Sequence, residues 1–443
     1  MKIEDWLKPG LQIKRWLLIG IAGIVLLLIS LSYYINLLRL SLHGWSSLLA
    51  GVMGVLLVIY ALYRGVGSLL TVCHFQNSLQ GKLDRTKINK MFYDKRILNK
   101  GPKIVVIGGG TGLSVLLRGI KLYTSNITAI VTVADDGGGS GKLREDLGML
   151  PPGDIRNCIL ALAEMEPTME QLLQYRFPEG SLKGQSFGNL LIASMNGISN
   201  NFEEAIKKIS EVLAVTGNVL PVTLENMTLY AKLENGTIVE GESNIPQKSI
   251  EENSPIKKIS INPKHPKAVI EALEAIQQAD VVVLGPGSLY TSIIPNLLIN
   301  DIRKSLLETT AEKVYIPNIM TQPGETTNYS VLNHLEAIFN HFPELSIDHI
   351  FINQGTIPQP IKEKYRFEGA ELISTSHEEM VKIKKLGINI LEANLVDIKK
   401  EYVRHDAEKI SKMIMENVLE SKFSQKGNKL FKLFNLKWDK SKN

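Results

Sequence analysis

The chain has 443 residues, a formal net charge of +5 and 44% hydrophobic residues, and that length calls for two or three folded units, since domains usually run about 100–200 residues. The small basic excess sits beside an apolar N-terminal stretch and in the C-terminal tail, which argues against a nucleic-acid binder. Two widely separated cysteines, Cys73 and Cys158, exclude a disulfide framework or zinc spacing and fit a reducing cytoplasm.

From Trp16 to Leu38 no residue is charged, a run longer than the roughly 20 apolar residues that cross a bilayer. A second uncharged run follows from Ser46 to Tyr63, after a short turn holding Arg39, His43 and Gly44. Trp16, Trp45, Tyr60 and Tyr63 stand near the ends, where amphipathic rings favour the headgroup region. A cleaved signal peptide would carry an apolar core of about 7–15 residues and no second span. Residues 1–66 therefore read as a membrane hairpin with spans at about 16–38 and 46–63. Lys8, Lys14 and Arg15 precede it, and Arg64, Lys82, Arg85, Lys87, Lys90, Lys95 and Arg96 follow it. Only Arg39 lies in the turn, so the positive-inside bias places both termini and the main domain in the cytoplasm of a multi-pass cell-membrane protein. Gly51 and Gly54, like Gly65 and Gly67, either let helices approach closely or are ordinary membrane glycines. Residues 67–101 read as a juxtamembrane linker.

Residues 102–420 carry alternating strand and helix patterns, the mark of a Rossmann-like three-layer α/β fold with a mostly parallel sheet. The β-branched run Lys103–Ile107 leads into Gly108, Gly109, Gly110, Thr111 and Gly112, and then an apolar helix. Such a turn brings bare N–H groups to an anion at a helix N-terminus. Leu113 occupies the third glycine position of the dinucleotide fingerprint, so the choice lies between a phosphate loop and a tight turn without ligand. A second buried-type strand, Ile127–Ala134, ends in Asp135, Asp136 and a glycine-rich stretch followed by Lys142 and Arg144. Asp135 falls about 25 residues past the first loop, near the spacing of a ribose-binding acid. The two carboxylates suit a ribose, a hydroxyl-rich sugar or a hydrated Mg²⁺, or else cap the next helix.

Leu150–Asn157 reads as a rigid turn into a helix, with Asp154 either its N-cap or a ligand-binding residue and Arg156 reaching either an anion or solvent; Arg144, Asp154 and Arg156 are all counted as candidate ligand-binding residues. Gly188 and Asn189 precede an apolar helical stretch and suggest an amide that reads a base or ribose. A helix at about 203–214 leads to a short run and then to a hairpin around Asn235-Gly236, expected as an antiparallel addition to the sheet. Residues 242–258 read as an irregular surface excursion. A helix at about 266–278 and a strand Asp280–Leu284 feed a second glycine loop, with Gly285, Gly287, Ser288, Thr291 and Ser292 offering N–H groups and hydroxyls to a phosphate. Two further strands, Lys313–Pro317 and Asp348–Asn353, end in Asn318, Thr321, Gln322, Glu325 and in Asn353. Two glycine loops in one domain favour a diphosphate-bearing ligand. Neither a Ser–His–Asp nor a Cys–His arrangement nor a Walker loop is evident, and His334, His341, His349 and His405 read as surface or capping residues. Residues 421–443 are basic, with Leu430, Phe431, Leu433, Phe434, Leu436 and Trp438 interleaved, which suits either contact with anionic lipid or a solvated tail.

Six motifs in order carry a family resemblance: Ile107-Gly-Gly-Gly-Thr-Gly-Leu, Thr132-Val-Ala-Asp-Asp-Gly-Gly, Leu150-Pro-Pro-Gly-Asp-Ile-Arg-Asn, Phe187-Gly-Asn-Leu, Leu284-Gly-Pro-Gly-Ser-Leu-Tyr-Thr-Ser and Met320-Thr-Gln-Pro-Gly-Glu-Thr. Across about residues 101–420 the chain resembles the YvcK-type gluconeogenesis factors, relatives of the CofD lactyl-phosphate transferases. The resemblance implies a regulator that binds a UDP-sugar such as UDP-N-acetylglucosamine and acts in morphogenesis and cell-wall precursor supply during gluconeogenic growth. It also implies a homodimer and cell-wall synthesis proteins as partners. Gln185 and Thr327 depart from the pattern, where a histidine and an acidic residue are expected. The rival readings are a CofD-like Mg²⁺-dependent transferase of phosphorus-containing groups, with Asp135 and Asp136 on the metal, and an NAD-type dehydrogenase, which the missing third glycine disfavours.

Overall fold

The computed structural model describes residues 13–35, 44–76, 98–164 and 167–419, which fall into two compact units divided after Ile97. The basic tail, most of the linker and the turn bearing Arg39 lie outside the described residues.

The first unit is a pair of helices, α1 (Ile13–Ile35) and α2 (Gly44–Gln76). They meet at glycines: a Cβ on Gly54 would stand 2.8 Å from the Gly23 carbonyl oxygen, and one on Gly51 would stand 2.7 Å from Ser30 Oγ. The Ser30 hydroxyl donates to the Ser47 carbonyl at 2.8 Å, so a polar group on an apolar helix is satisfied within the pair. Leu18, Leu28, Leu49 and Leu56 point outward and are well exposed. Ser46–Arg64, 19 residues of mean hydropathy 2.0, is long and apolar enough to cross a membrane. The apolar run described in α1, Leu17–Ser32, is shorter. Sixteen residues of helix span only about 24 Å, against a hydrocarbon core of about 30 Å. Of the two expected spans, one thus meets the length requirement over the described residues.

The second unit is built on a seven-stranded sheet in the order β10-β9-β8-β7-β1-β2-β3, parallel throughout. Its strands are β1 (Ile104–Gly108), β2 (Ile127–Val131), β3 (Asn218–Pro221), β7 (Val281–Leu284), β8 (Glu312–Tyr315), β9 (His349–Asn353) and β10 (Asn389–Ala393). Every residue of β1, β2 and β7 is buried, which is why these strands read as continuous apolar runs without alternation. The helix α3 (Gly110–Ile120) turns Leu113, Leu116, Leu117 and Ile120 onto the sheet, the i, i+3, i+4, i+7 stripe of a core-facing helix. Each such fully buried side chain contributes about 1.5–3 kcal/mol of transfer free energy.

Three further helices follow β2: α4 (Gly138–Leu147), α5 (Gly153–Leu162) and α6 (Pro167–Gln174). The next, α7 (Phe187–Gly197), is capped by Ser186, whose side chain accepts from Asn189 N, and α8 (Phe202–Val212) is capped by Asn201. Strand order reverses between β1 and β7, which makes the carboxyl ends of these strands the topological switch point where open α/β sheets take their ligands.

The hairpin around Asn235-Gly236 does not extend the main sheet. Its strands β4 (Thr228–Leu233) and β5 (Ile238–Glu240) join β6 (Ile256–Asn262) in a separate antiparallel sheet of order β5-β4-β6. The segment expected to be irregular holds α9 (Asn244–Glu251) and the start of β6, where exposed Lys257 and Lys258 separate buried Ile256 from Ile259 at a register shift, after which buried Ile259 and Ile261 alternate with exposed Ser260 and Asn262. Period-two burial organises this stretch despite its polar composition.

The histidines also differ from expectation. His334, His341 and His405 are buried, and His349 is half-buried. The His341 ring donates from Nδ1 to the Ala337 carbonyl at 2.7 Å and accepts at Nε2 from Ile259 N at 2.9 Å, fastening the helix Val331–His341 to β6. Burial lowers the pKa of His334 and of His405 to about 4, so both are neutral structural groups.

Candidate functional site

Two glycine loops meet at the switch point. A Cβ on Gly112 would lie 2.8 Å from the Pro286 carbonyl oxygen, and one on Gly287 would lie 3.1 Å from the Gly109 carbonyl oxygen. Only glycine permits this approach of backbone to backbone. Gly108 is buried, and its carbonyl accepts from Thr132 N and from the Asn296 amide. Gly285 has φ +80, and a Cβ there would stand 2.9 Å from the Ile316 carbonyl oxygen. Thr111 alone of the first loop is exposed.

The helix start that follows the first loop already has an anion. The Asp154 carboxyl accepts from Gly110 N, and its Oδ2 lies 2.6 Å from the position of a Cβ on Gly109. Asp154 is therefore not the cap of its own helix, where Pro152 holds the N-cap position. Burial, and then the Asp135 carboxylate, raise its pKa to about 7. The second loop is arranged in the same way. The buried Glu325 carboxyl accepts from Tyr290 N and Thr291 N and takes the Thr291 hydroxyl at 3.4 Å, while burial raises its pKa to about 7. Ser288 Oγ accepts from the Gln322 amide at 2.8 Å, and that residue's Oε1 in turn accepts from Asn318 Nδ2.

Beside the first loop opens a cleft of ≈180 Å³, walled by Asp135, Gly137–Ser140, Gly153, Asp154, Arg156, Asn157, Arg176 and Asn189. It brings together four of the expected residues: Asp135, Asp154, Arg156 and Asn189. The glycine run Gly137–Gly139 starts α4, and among the described residues no side chain caps it. Its first-turn N–H groups therefore face the cleft with a favourable dipole. Arg156 is held in place by three acceptors. Its Nη1 donates to Asn189 Oδ1 at 2.8 Å and to the Ser186 hydroxyl, and its Nη2 donates to Asn157 Oδ1 at 2.9 Å. Burial and the nearby Arg176 lower the guanidinium pKa from its ordinary value. Gly188 leaves room for the Arg156 stem, since a Cβ there would stand 2.7 Å from Cδ.

The adjacent acids Asp135 and Asp136 part company. Asp135 Oδ1 accepts from Gly137 N at 3.0 Å, and its Oδ2 lies toward Gly153 at the cleft wall. Both oxygens of Asp136 are engaged elsewhere: Oδ2 accepts from Glu242 N and Oδ1 from Ser243 N, each at 2.9 Å. Arg144 likewise works as a fastener, donating from Nη2 to the Met227 carbonyl at 2.8 Å and to Thr228 Oγ1 at 3.3 Å. A Mg²⁺ clamped between Asp135 and Asp136 does not fit this arrangement. Among the described residues no three of His, Cys, Asp and Glu are grouped so as to hold a metal ion.

Two residues escaped the sequence reading. Arg176 sits in a loop without any motif. Glu242 stands in the Gly241–Asn244 turn that was taken for surface, although a run of turn formers after a hairpin was its one signal. Burial, Asp135, Glu325 and Asp136 raise the Glu242 pKa to about 8, and the Thr291 hydroxyl also lies within hydrogen-bond reach of its carboxyl, which competes with Glu325 for that one proton.

Comparison with known proteins agrees with this fold. Residues 104–396 match the family described as 2-phospho-L-lactate transferase CofD. A relative in Clostridium acetobutylicum is 50% identical over 442 residues, 98% of this chain and 96% of its own length. The gluconeogenesis factor of Bacillus subtilis is 44% identical over 320 residues, 72% of this chain and 99% of its own length. A crystal structure of a UPF0052-family protein from Bacillus halodurans superposes with a TM-score of 0.67 at 47% identity, covering 71% of this chain and 99% of that one.

Proposed function

This chain belongs to the gluconeogenesis factor family and carries its CofD-like α/β domain, and from that membership we propose that its cleft binds a nucleotide diphosphate sugar, a UDP-sugar such as UDP-N-acetylglucosamine. The observation that carries the reading is the uncapped N-terminus of α4 opposite the fixed Arg156 fork. A diphosphate needs N–H donors, a favourable helix dipole and a cation, and these are the groups that converge there. Asp135 takes the ribose or sugar hydroxyls, and Asn189 stands behind Arg156. The glycine loops shape the neighbouring wall, their helix starts being held by Asp154 and Glu325.

In this reading the protein is a ligand-responsive regulator of cell shape and cell-wall precursor supply during gluconeogenic growth. It works as a homodimer with cell-wall synthesis proteins as partners, tethered to the membrane by α1 and α2 with the α/β domain on the cytoplasmic side. Calorimetric titration of the full chain in detergent with UDP-N-acetylglucosamine, GDP and NAD, with and without Mg²⁺, tests it. Tight, metal-independent binding of the UDP-sugar without turnover is expected. Binding of GDP alone, and only with metal, would sink the proposal. For the tether, an Arg39→Cys chain is expected to react with an impermeant thiol reagent on intact cells. Reaction only after permeabilisation contradicts the orientation.

A second reading, a CofD-like transferase of phosphorus-containing groups, draws on one observation. Asp154, Glu242 and Glu325 are carboxyls whose pKa values of about 7, about 8 and about 7 suit proton transfer near neutrality. Release of a nucleotide product during the same titration would favour it.

A further inference from the structure

Beyond the cleft lies a second group of polar side chains. Glu242 comes from the turn after β5, Thr291 from the loop after β7, and Glu325 from the loop after β8. The Thr291 hydroxyl lies within hydrogen-bond reach of both carboxyls and can donate to one of them at a time, so the three form one polar cluster. Its rim adjoins the cleft wall: a Cβ on Gly137 would lie 3.6 Å from Ser243 Cβ and 3.5 Å from Asp135 Oδ1. Asp136 pins this rim by accepting from Glu242 N and Ser243 N.

The cluster holds an unmet polar atom. Glu325 is 7% exposed, and its Oε2 has no hydrogen-bond partner among the described residues. A buried acceptor left in this state is costly unless a donor arrives. Carboxyl groups with free acceptor capacity beside a hydroxyl recognise O–H and N–H donors and repel anions. The cluster therefore suits the part of a ligand opposite in character to its diphosphate.

We propose that Glu242, Thr291 and Glu325 form the recognition subsite for the hydroxyl-bearing glycosyl group of the ligand, an inference that rests on the nucleotide-sugar reading above. The diphosphate lies at α4 and Arg156, and the sugar reaches past Asp135 toward this cluster. Specificity then has a physical basis: hydroxyls and amides enter, and a carboxylated sugar is rejected by like charge.

The test measures the gain in affinity that the sugar confers, the ratio of UDP to UDP-N-acetylglucosamine dissociation constants, by calorimetry on the full chain. At pH 8.5 both variants are expected to keep UDP affinity; Glu242→Gln should cut that ratio by about 10- to 100-fold, the cost of losing a hydrogen bond to a charged group, and Thr291→Val by about 2- to 10-fold, the cost of losing a neutral one. A ligand-side arm needs no variant. UDP-glucuronate is expected to bind the wild type at least about 10-fold more weakly than UDP-N-acetylglucosamine at pH 8.5, where Glu242 is ionised. An unchanged ratio in both variants, or equal binding of the two sugars, overturns the subsite. If the wild type binds UDP and UDP-N-acetylglucosamine equally, the subsite alone falls. If it binds neither, the nucleotide-sugar reading falls with it.

Discussion

Replacing Asp136 separates structural from ligand-binding roles in the acidic pair. Both of its oxygens accept backbone N–H groups of the Glu242–Ser243 turn at 2.9 Å, and nothing in this arrangement points it into the cleft. Hydrogen bonds to a charged acceptor contribute about 1.5–3 kcal/mol when shielded, and less where water can replace the carboxylate. Glu242 is half-buried and Ser243 exposed, so the first bond belongs in the lower half of that range, at about 1.5–2 kcal/mol, and the second at about 0.5–1 kcal/mol. Asp136→Ala should then cost about 2–3 kcal/mol. For a domain of roughly 320 residues, with an unfolding entropy near 2.1 cal/mol/K per residue, that is a fall in melting temperature of about 3–5 °C. Differential scanning fluorimetry of the wild type, Asp136→Ala and Asp135→Ala checks it. Asp135→Ala should lower ligand affinity with a smaller change in melting temperature, because it gives up one short turn contact. If Asp136→Ala melts within about 1 °C of the wild type and loses ligand affinity instead, the structural assignment is wrong.

Gly112→Ala drives a methyl to 2.8 Å from the Pro286 carbonyl oxygen, a backbone atom. It should destabilise the domain by about 1–3 kcal/mol, read by chemical denaturation, and a neutral result would show that the two loops slide apart freely. Arg156→Lys keeps the charge but loses the fork that Asn157 and Asn189 hold. Ligand affinity should drop about 10- to 100-fold by calorimetry, and retention of full affinity would remove Arg156 from the diphosphate site. The raised carboxyls of Asp154, Glu242 and Glu325 set a pH dependence. Between about pH 4 and pH 8 the folded state holds protons that the unfolded chain has released, so stability should fall as pH rises through this window. Asp154→Asn should flatten the slope, and a stability that rises across the same range would contradict the burial of these groups. Affinity for a diphosphate ligand should likewise weaken from pH 6 to pH 8.5, with proton uptake on binding, measured as a dependence of the binding enthalpy on buffer ionisation.

Local order was legible wherever one residue type answers one physical need. Runs such as Val281–Leu284 have no reading but a doubly buried strand, and glycine after such a strand marks a close turn. The apolar N-terminal run and the two glycine loops are legible in this way, whereas Asp154 and Arg156, which the sequence leaves between a structural and a ligand-facing role, join Asp135 and Asn189 at the cleft only in the fold. Polar stretches were less legible. The segment from Gly241 to Asn262 looks like surface because lysines and other polar residues separate its apolar ones, and only the packing of β6 against β4 and the His341 contact make it a sheet.

What the sequence determined by itself is the set of elements and the chemistry at the strand ends. What only the tertiary structure decided is which groups at those ends are already spoken for. Asp135 and Asp136 are neighbours of identical chemistry, yet one faces a cleft and the other holds a turn that begins more than a hundred residues later. Asp154 and Glu325 fill the helix starts that the glycine pattern had assigned to a phosphate. A side chain's charge is written in its own residue, but its partner is set by long-range folding, because a hydrogen bond depends on distances that sequence separation does not encode.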